Sequence, residues 1–327
     1  MSAEGSGCRV CGSARIRETG RVEYLRGFDW PVLDCDECGC RWTQHDDTVH
    51  QRLHAAPAIS YYAEYVELAA HARTAFAARD LQMLSTVLAR WPKYRFVLDA
   101  VKREPRSSRI LEVGCSRGYL TSHLILDGRN VLGVDVSDEA ITAARSAFGD
   151  HFALVDSARA MAGSPYDLIY HVGMIGCVSD PIGLTKKLLS LVRPGGRLIF
   201  NAPNRAALHL RGQLWFDSAP PPDLVTLFPE GFWHKYFSRE ALVEETVERL
   251  PADQSAQVVL RRWLGEAWTA PSPLPMEGRG QVWTLKESAV SRWAGRIARR
   301  GAAPLINAFA TRRPTEFGLF VSLTTRG

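Results

Sequence analysis

The sequence has no apolar run of the roughly 18–20 residues that a membrane span needs. Its opening, Met1-Ser-Ala-Glu-Gly-Ser-Gly-Cys8, lacks the charged-then-apolar layout of a secretory leader. A cytoplasmic address is therefore expected, where thiols stay reduced. Repeats and low-complexity tracts are also missing. The excess of positive charge is mild, at +5 for 40 basic and 35 acidic residues. It is uneven, with seven basic residues and one acid between Lys286 and Arg313. That stretch reads as a solvated basic helix face or as a patch for an anionic partner. With 46% apolar and 23% charged residues in 327, the chain can bury a real core. The length suits one large domain plus an appendage.

Cysteine is scarce, yet four of the seven fall into two pairs, Cys8-Arg-Val-Cys11-Gly12 and Cys35-Asp-Glu-Cys38-Gly39. The two-residue gap lets both sulfurs of a pair face one ion, and the glycine permits the tight turn that follows. Two such knuckles complete a closed four-thiolate shell, so Cys8, Cys11, Cys35 and Cys38 are expected to hold structural zinc in a ribbon over 1–43. Four free cysteines or two disulfides are the plainer alternatives. Cys40 is read as a bystander. The alternating stretch between the knuckles (Val22, Tyr24, Phe28, Trp30, Val32) suits short strands.

From 44 to 104 the apolar spacing becomes helical. This linker would be a plain connector or a lid, with Tyr61, Tyr62 and Tyr65 as packing residues. The remainder, 105–327, reads as an α/β domain. Arg109-Ile-Leu-Glu-Val113 is a buried parallel strand that runs into Gly114-Cys-Ser-Arg-Gly118 and then a helix. Val131-Leu-Gly-Val-Asp135 is the next strand, and Ser137 caps the helix after it. A glycine turn between strand and helix, followed about 20 residues later by an acid, is what a nucleotide site needs: the backbone approaches the ligand, and Asp135 takes two hydrogen bonds from ribose hydroxyls. As a helix cap Asp135 would be redundant.

Leu111-Glu112-Val-Gly114-Cys-Ser116-Arg-Gly118 resembles motif I of the class I SAM-dependent methyltransferases (SAM is S-adenosylmethionine). Leu154-Val-Asp156-Ser157, Tyr166-Asp167-Leu-Ile-Tyr170, the run from Leu188 through Pro194-Gly195-Gly196 to Phe200, and Asn201-Ala-Pro-Asn204 follow in that family's order. The resemblance covers roughly residues 60–250. It implies a Rossmann-like, doubly wound, seven-stranded sheet with the last strand antiparallel. It also implies that Gly114, Ser116 and Gly118 line the methionine moiety of SAM, and that Glu112 helps hold its ammonium group through the loop. Asp135 would bind the ribose, Val136 would lie against the adenine, and Asp156 and Ser157 would meet the adenine amino edge. Two departures stand out. The usual middle glycine is Ser116. The segment after the fourth strand, Gly176-Cys-Val-Ser-Asp-Pro181, lacks the histidine that relatives carry there.

The same turn satisfies G-x-S-x-G, the nucleophile elbow of serine hydrolases, but that reading leaves Asp135 and the Pro-Gly-Gly turn unexplained. After Asn204 an aromatic, proline-rich insertion near 204–237 is the candidate pocket for a small-molecule acceptor. His234 and His171 are the candidate bases, and Tyr236, Asp217 and Cys177 are weaker ones. A helix is expected to restart at Ser238. The extension near 251–315 contains an amphipathic basic helix over Ser288–Arg300, and Glu316–Thr324 reads as the edge strand. A zinc ribbon ahead of such a domain is also similar to bacterial sugar C-methyltransferases, whose glycine loop and C-terminal domain differ. RNA methylation, with Arg292–Arg300 on nucleic acid, is the second enzyme reading. An inactive, ribbon-based binding module is the non-enzymatic one.

Overall fold

A computed structural model describes residues 7–23, 29–43, 63–157, 159–160, 164–211, 214–216, 221, 224–249 and 316–326. The chain divides into two compact units. One comprises Met1–Ala63, Pro203–Glu230 and Val247–Leu319; the other comprises Glu64–Ala202, Gly231–Thr246 and Phe320–Gly327.

In the first unit, β1 (Ile16–Glu23) and β2 (Asp29–Cys35) pair antiparallel, as the alternation between the knuckles predicts. β3 (Arg41–Thr43) pairs with β2, and β9 (Thr226–Leu227) closes the sheet beside β3. The short helix α7 (Ala206–Arg211) also belongs to this unit.

The larger sheet is the expected one. Its strands are β4 (Arg109–Val113), β5 (Asn130–Asp135), β6 (Phe152–Leu154), β7 (Tyr166–His171), β8 (Val192–Pro203), β10 (Ala241–Arg249) and β11 (Glu316–Thr325). They lie in the order β10-β11-β8-β7-β4-β5-β6, mixed, with the last strand antiparallel. β4 sits between β5 and β7 in parallel register, Val113 opposite both Val134 and His171. A central parallel strand is covered on both faces, and β4 is accordingly buried from Ile110 to Val113, Glu112 included. The same registers bring the ends of β4, β5 and β7 to one carboxyl edge. The Pro-Gly-Gly turn lies inside β8 as a bulge: Gly195 has φ +71°, and the register jumps from Tyr166–Val192 to Leu168–Arg197.

Helices α1 (Ala63–Ala78), α2 (Leu81–Leu88) and α3 (Pro92–Lys102) are present where the 3.6-residue spacing places them. Their apolar faces (Ala72, Leu84, Leu88, Val97) share one buried cluster with Ile110 of β4 and with α4 (Tyr119–Leu126) and α5 (Asp138–Phe148). They form a packed layer on the sheet. Ser137 caps α5 by accepting from the Ala140 N–H at 3.2 Å, as read from sequence. Asp180 does the same for α6 (Pro181–Ser190), to the Gly183 N–H at 2.8 Å.

One expectation fails. The helix predicted from Ser238 is instead the strand β10, and the aromatic run before it forms α8 (Phe232–Phe237). Period-2 burial decides: Ala241 and Val243 are buried, while Leu242 and Glu244 are exposed. Tyr61, Tyr62, the side chain of Tyr65, Asp217 and the basic helix over 288–300 lie outside the described residues. Among the described residues, no helix is long and apolar enough to cross a membrane.

Gly118 shows how tightly the turn is fitted. Its φ is +76°, and a Cβ there would fall 2.5 Å from the Phe152 ring. Gly118→Ala is expected to lower stability by about 3 kcal/mol through left-handed strain and overpacking. Denaturant unfolding of the purified variant checks this.

Candidate functional site

The two knuckles meet. Cys8 and Cys38 Sγ lie 3.7 Å apart, as do Cys11 and Cys35. All four sulfurs fall within 4.8 Å of one another. A disulfide would bring a pair to about 2 Å, and the cysteines are free. A tetrahedron with Zn–S bonds of about 2.3 Å has edges of about 3.8 Å, so the donor set and its spacing fit a tetrahedral ion. The Val10 N–H points at Cys8 Sγ from 3.4 Å. Its hydrogen bond with Cys38, and then burial, push the Cys8 thiol well up. Four thiolates at this spacing would need a cation between them. Cys40 is buried beside Cys38 but lies outside the set of four.

The second site lies at the carboxyl edge of the large sheet. The turn Gly114–Gly118 passes through left-handed backbone at Gly114 (φ +75°), Ser116 (φ +49°) and Gly118. Ser116 therefore adopts a conformation that the usual glycine would take freely. Its N–H donates to Asp135 Oδ2 at 2.8 Å, and the Ser137 N–H donates to Asp135 Oδ1 at 2.9 Å. Each carboxylate oxygen keeps a further lone pair, so Asp135 is oriented and still able to accept from a vicinal diol. Val136, next in the chain, is 83% exposed, an apolar side chain held open beside that carboxylate. An adenosine moiety wants these two groups, so the residues fit the cofactor that the resemblance implies.

Glu112 lies buried beneath the turn. It accepts from the Thr121 hydroxyl and from Tyr170 OH, the latter at 3.0 Å. Burial raises its pKa to about 7 despite these two donors. Thr121 and the Tyr170 side chain are partners of Glu112 that sequence reasoning missed. The parallel register of Glu112 with Tyr170 carries the signal, because paired residues share a face. Asn201, at the end of β8, accepts from the Gly173 N–H at 2.8 Å and so shapes the loop after β7.

The other expected residues are dispersed. Asp156 is exposed, 3.8 Å from Lys187 Nζ. Ser157 Oγ accepts from the Ala160 N–H at 3.4 Å. His234 is exposed on α8. The His171 ring is sealed from solvent and stacked on Phe200 at 4.7 Å, with neither ring nitrogen hydrogen-bonded. Burial lowers its pKa to about 3. Among the described residues, no histidine side chain hydrogen-bonds to Ser116. Trp215 and Phe216 of the aromatic insertion are buried with Val32 in the core of the ribbon unit.

A family model described as a methyltransferase domain matches residues 79–244, and the chain belongs to that family. The ubiquinone biosynthesis O-methyltransferase of Aromatoleum aromaticum is 30% identical over 104 residues, 30% of this chain and 44% of that protein. Its counterpart in Vibrio parahaemolyticus is 27% identical over 150 residues, 43% of this chain and 62% of that protein. The chain spans about half the length of the curated relatives it matches. A solved SAM-dependent methyltransferase from Archaeoglobus fulgidus is 14% identical, with a TM-score of 0.43 over 71% of this chain and 92% of that chain.

Two measurements check the site. Elemental analysis of protein purified without chelator is expected to find one zinc per chain, lost on Cys35→Ser. The second concerns Glu112. An acid whose pKa rises on folding lowers stability as the pH climbs from its unfolded to its folded value. Glu112→Gln should therefore gain stability relative to wild type as the pH rises from 4.5 to about 7, and hold that gain above it. Comparing the two proteins matters because His123 and His171, buried and neutral with pKa values of about 4 and about 3, act in the opposite direction up to 6.5.

Proposed function

We propose that the protein transfers a methyl group from SAM to a hydroxyl of a small organic acceptor, and that the four cysteines hold a structural zinc. The observation that carries the reading is Asp135, fixed by two backbone N–H groups at the end of β5 beside exposed Val136. The names of the relatives, O-methyltransferases of ubiquinone biosynthesis, support a hydroxyl acceptor.

When bound, SAM supplies an electrophilic methyl on a sulfonium; the chain supplies alignment and electrostatics. The turn Gly114–Gly118 would hold the methionine portion, and Asp135 would hold the sugar. Val136 would offer the adenine an apolar face, and Asp156 and Ser157 would meet its amino edge. Glu112, buried below the turn, would help hold the amino group through the loop. A hydroxyl acceptor must lose its proton as its oxygen attacks. His234, on the solvent-exposed side of α8, takes that proton. His171 is kept as a packing residue, since a sealed imidazole of such low basicity is a poor acceptor at neutral pH.

Incubation with SAM labelled in its methyl group, against a panel of small phenols and catechols, tests this. Labelled methyl ether is expected, and His234→Ala should lower kcat/KM by about 10²–10⁴-fold. His171→Phe should stay within a few-fold of wild type. Label appearing in RNA and in none of the small acceptors would move the assignment to the nucleic-acid reading.

A further inference from the structure

The sheet that carries the metal centre is completed from elsewhere in the chain. β3 begins three residues after Cys38, and its partner β9 comes from the segment that leaves β8. Arg41 pairs with Leu227 and Trp42 with Thr226. The Thr43 N–H donates to the Val225 carbonyl at 3.0 Å. Beneath the sheet, Val32 of β2 shares its buried cluster with Leu208, Trp215, Phe216 and Leu227 of that segment.

Arg205 makes the most specific link. It follows Asn204, just past the end of β8. Its Nη2 donates to Asp34 Oδ2 at 2.8 Å, and its Nη1 donates to the Gly39 carbonyl. Asp34 immediately precedes Cys35, and Gly39 immediately follows Cys38. One guanidinium thus spans both flanks of the second knuckle. Asp34 has only 2% of its side chain exposed and also accepts from Arg41 at 2.7 and 2.9 Å. A planar fork can serve two such acceptors at once; an ammonium group serves them poorly.

We propose that Arg205 is a positioning residue through which the metal centre sets the placement of residues 204–211 and 224–228, so that metal binding and docking of those residues are one cooperative event. The ribbon and the residues that follow β8 then fold as one unit. This coupling rests on the zinc site proposed above and not on the methyl transfer. Coupling of this kind is reciprocal, so weakening the segment's docking must weaken metal affinity.

The test uses full-length, zinc-loaded protein followed by hydrogen exchange before and after zinc is removed with a chelator. Amides in 30–43 and 224–228 are expected to lose protection together, while β4, β5 and β7 keep theirs. S-adenosylhomocysteine affinity, read by calorimetry, should change by less than about threefold. In a competition titration against a chelator, Arg205→Gln should weaken zinc affinity by about tenfold, with only partial rescue by Arg205→Lys. Deprotection confined to 30–43, loss of protection throughout both units, or an unchanged zinc affinity in Arg205→Gln would each overturn the proposal. Failure of the intact protein to bind S-adenosylhomocysteine would sink the proposed function and leave the exchange result standing.

Discussion

The carboxylate of Asp135 and the amide of Ser116 form the contact on which the cofactor site depends. The contact joins the end of β5 to the middle of the turn after β4. It fixes the orientation of the acid and holds Ser116 in a left-handed conformation that a side chain does not favour. The sheet makes it possible, because the parallel register of β4 and β5 ends both strands at the same level. Phe152 then closes the turn from below, leaving no room for a side chain at Gly118. A methyltransferase that uses SAM needs little from its protein beyond such preorganisation, because the cofactor carries the reactive carbon.

Beneath that contact lies a buried acid. Glu112 is sealed by Thr121 and Tyr170, one hydroxyl from α4 and one from β7. Its elevated pKa reflects burial outweighing both hydrogen bonds. The two acids of the site are therefore unlike: Asp135 is partly open and held by amides, Glu112 closed and held by hydroxyls.

Much of this was legible in the residues. The seven-stranded sheet followed from the family that the order of motifs resembles, and the knuckle spacing announced a four-cysteine cluster because that spacing is local. Ser137 as a cap was readable for the same reason. The remainder depended on contacts between distant segments. Nothing near Thr226 or Leu227 marks them as partners of Arg41 and Trp42, nearly two hundred residues earlier. The aromatics at 215 and 216 look like a pocket lining in sequence, yet they are spent on the core that the small ribbon could not otherwise build. Strand β10 was misread because alanine, leucine and glutamate favour helices, and its two-residue periodicity outweighed that propensity. The grip on Glu112 required knowing which strands are neighbours.

The central claim is that the turn after β4 and the acid ending β5 together bind an adenosyl group. Calorimetric titration of S-adenosylhomocysteine into the wild-type protein and into Asp135→Ala tests it most directly. The account predicts micromolar binding by the wild type and a loss of about 100-fold or more in the variant, as removal of a charged, two-point hydrogen-bond acceptor requires. Equal affinity in the two proteins would contradict it.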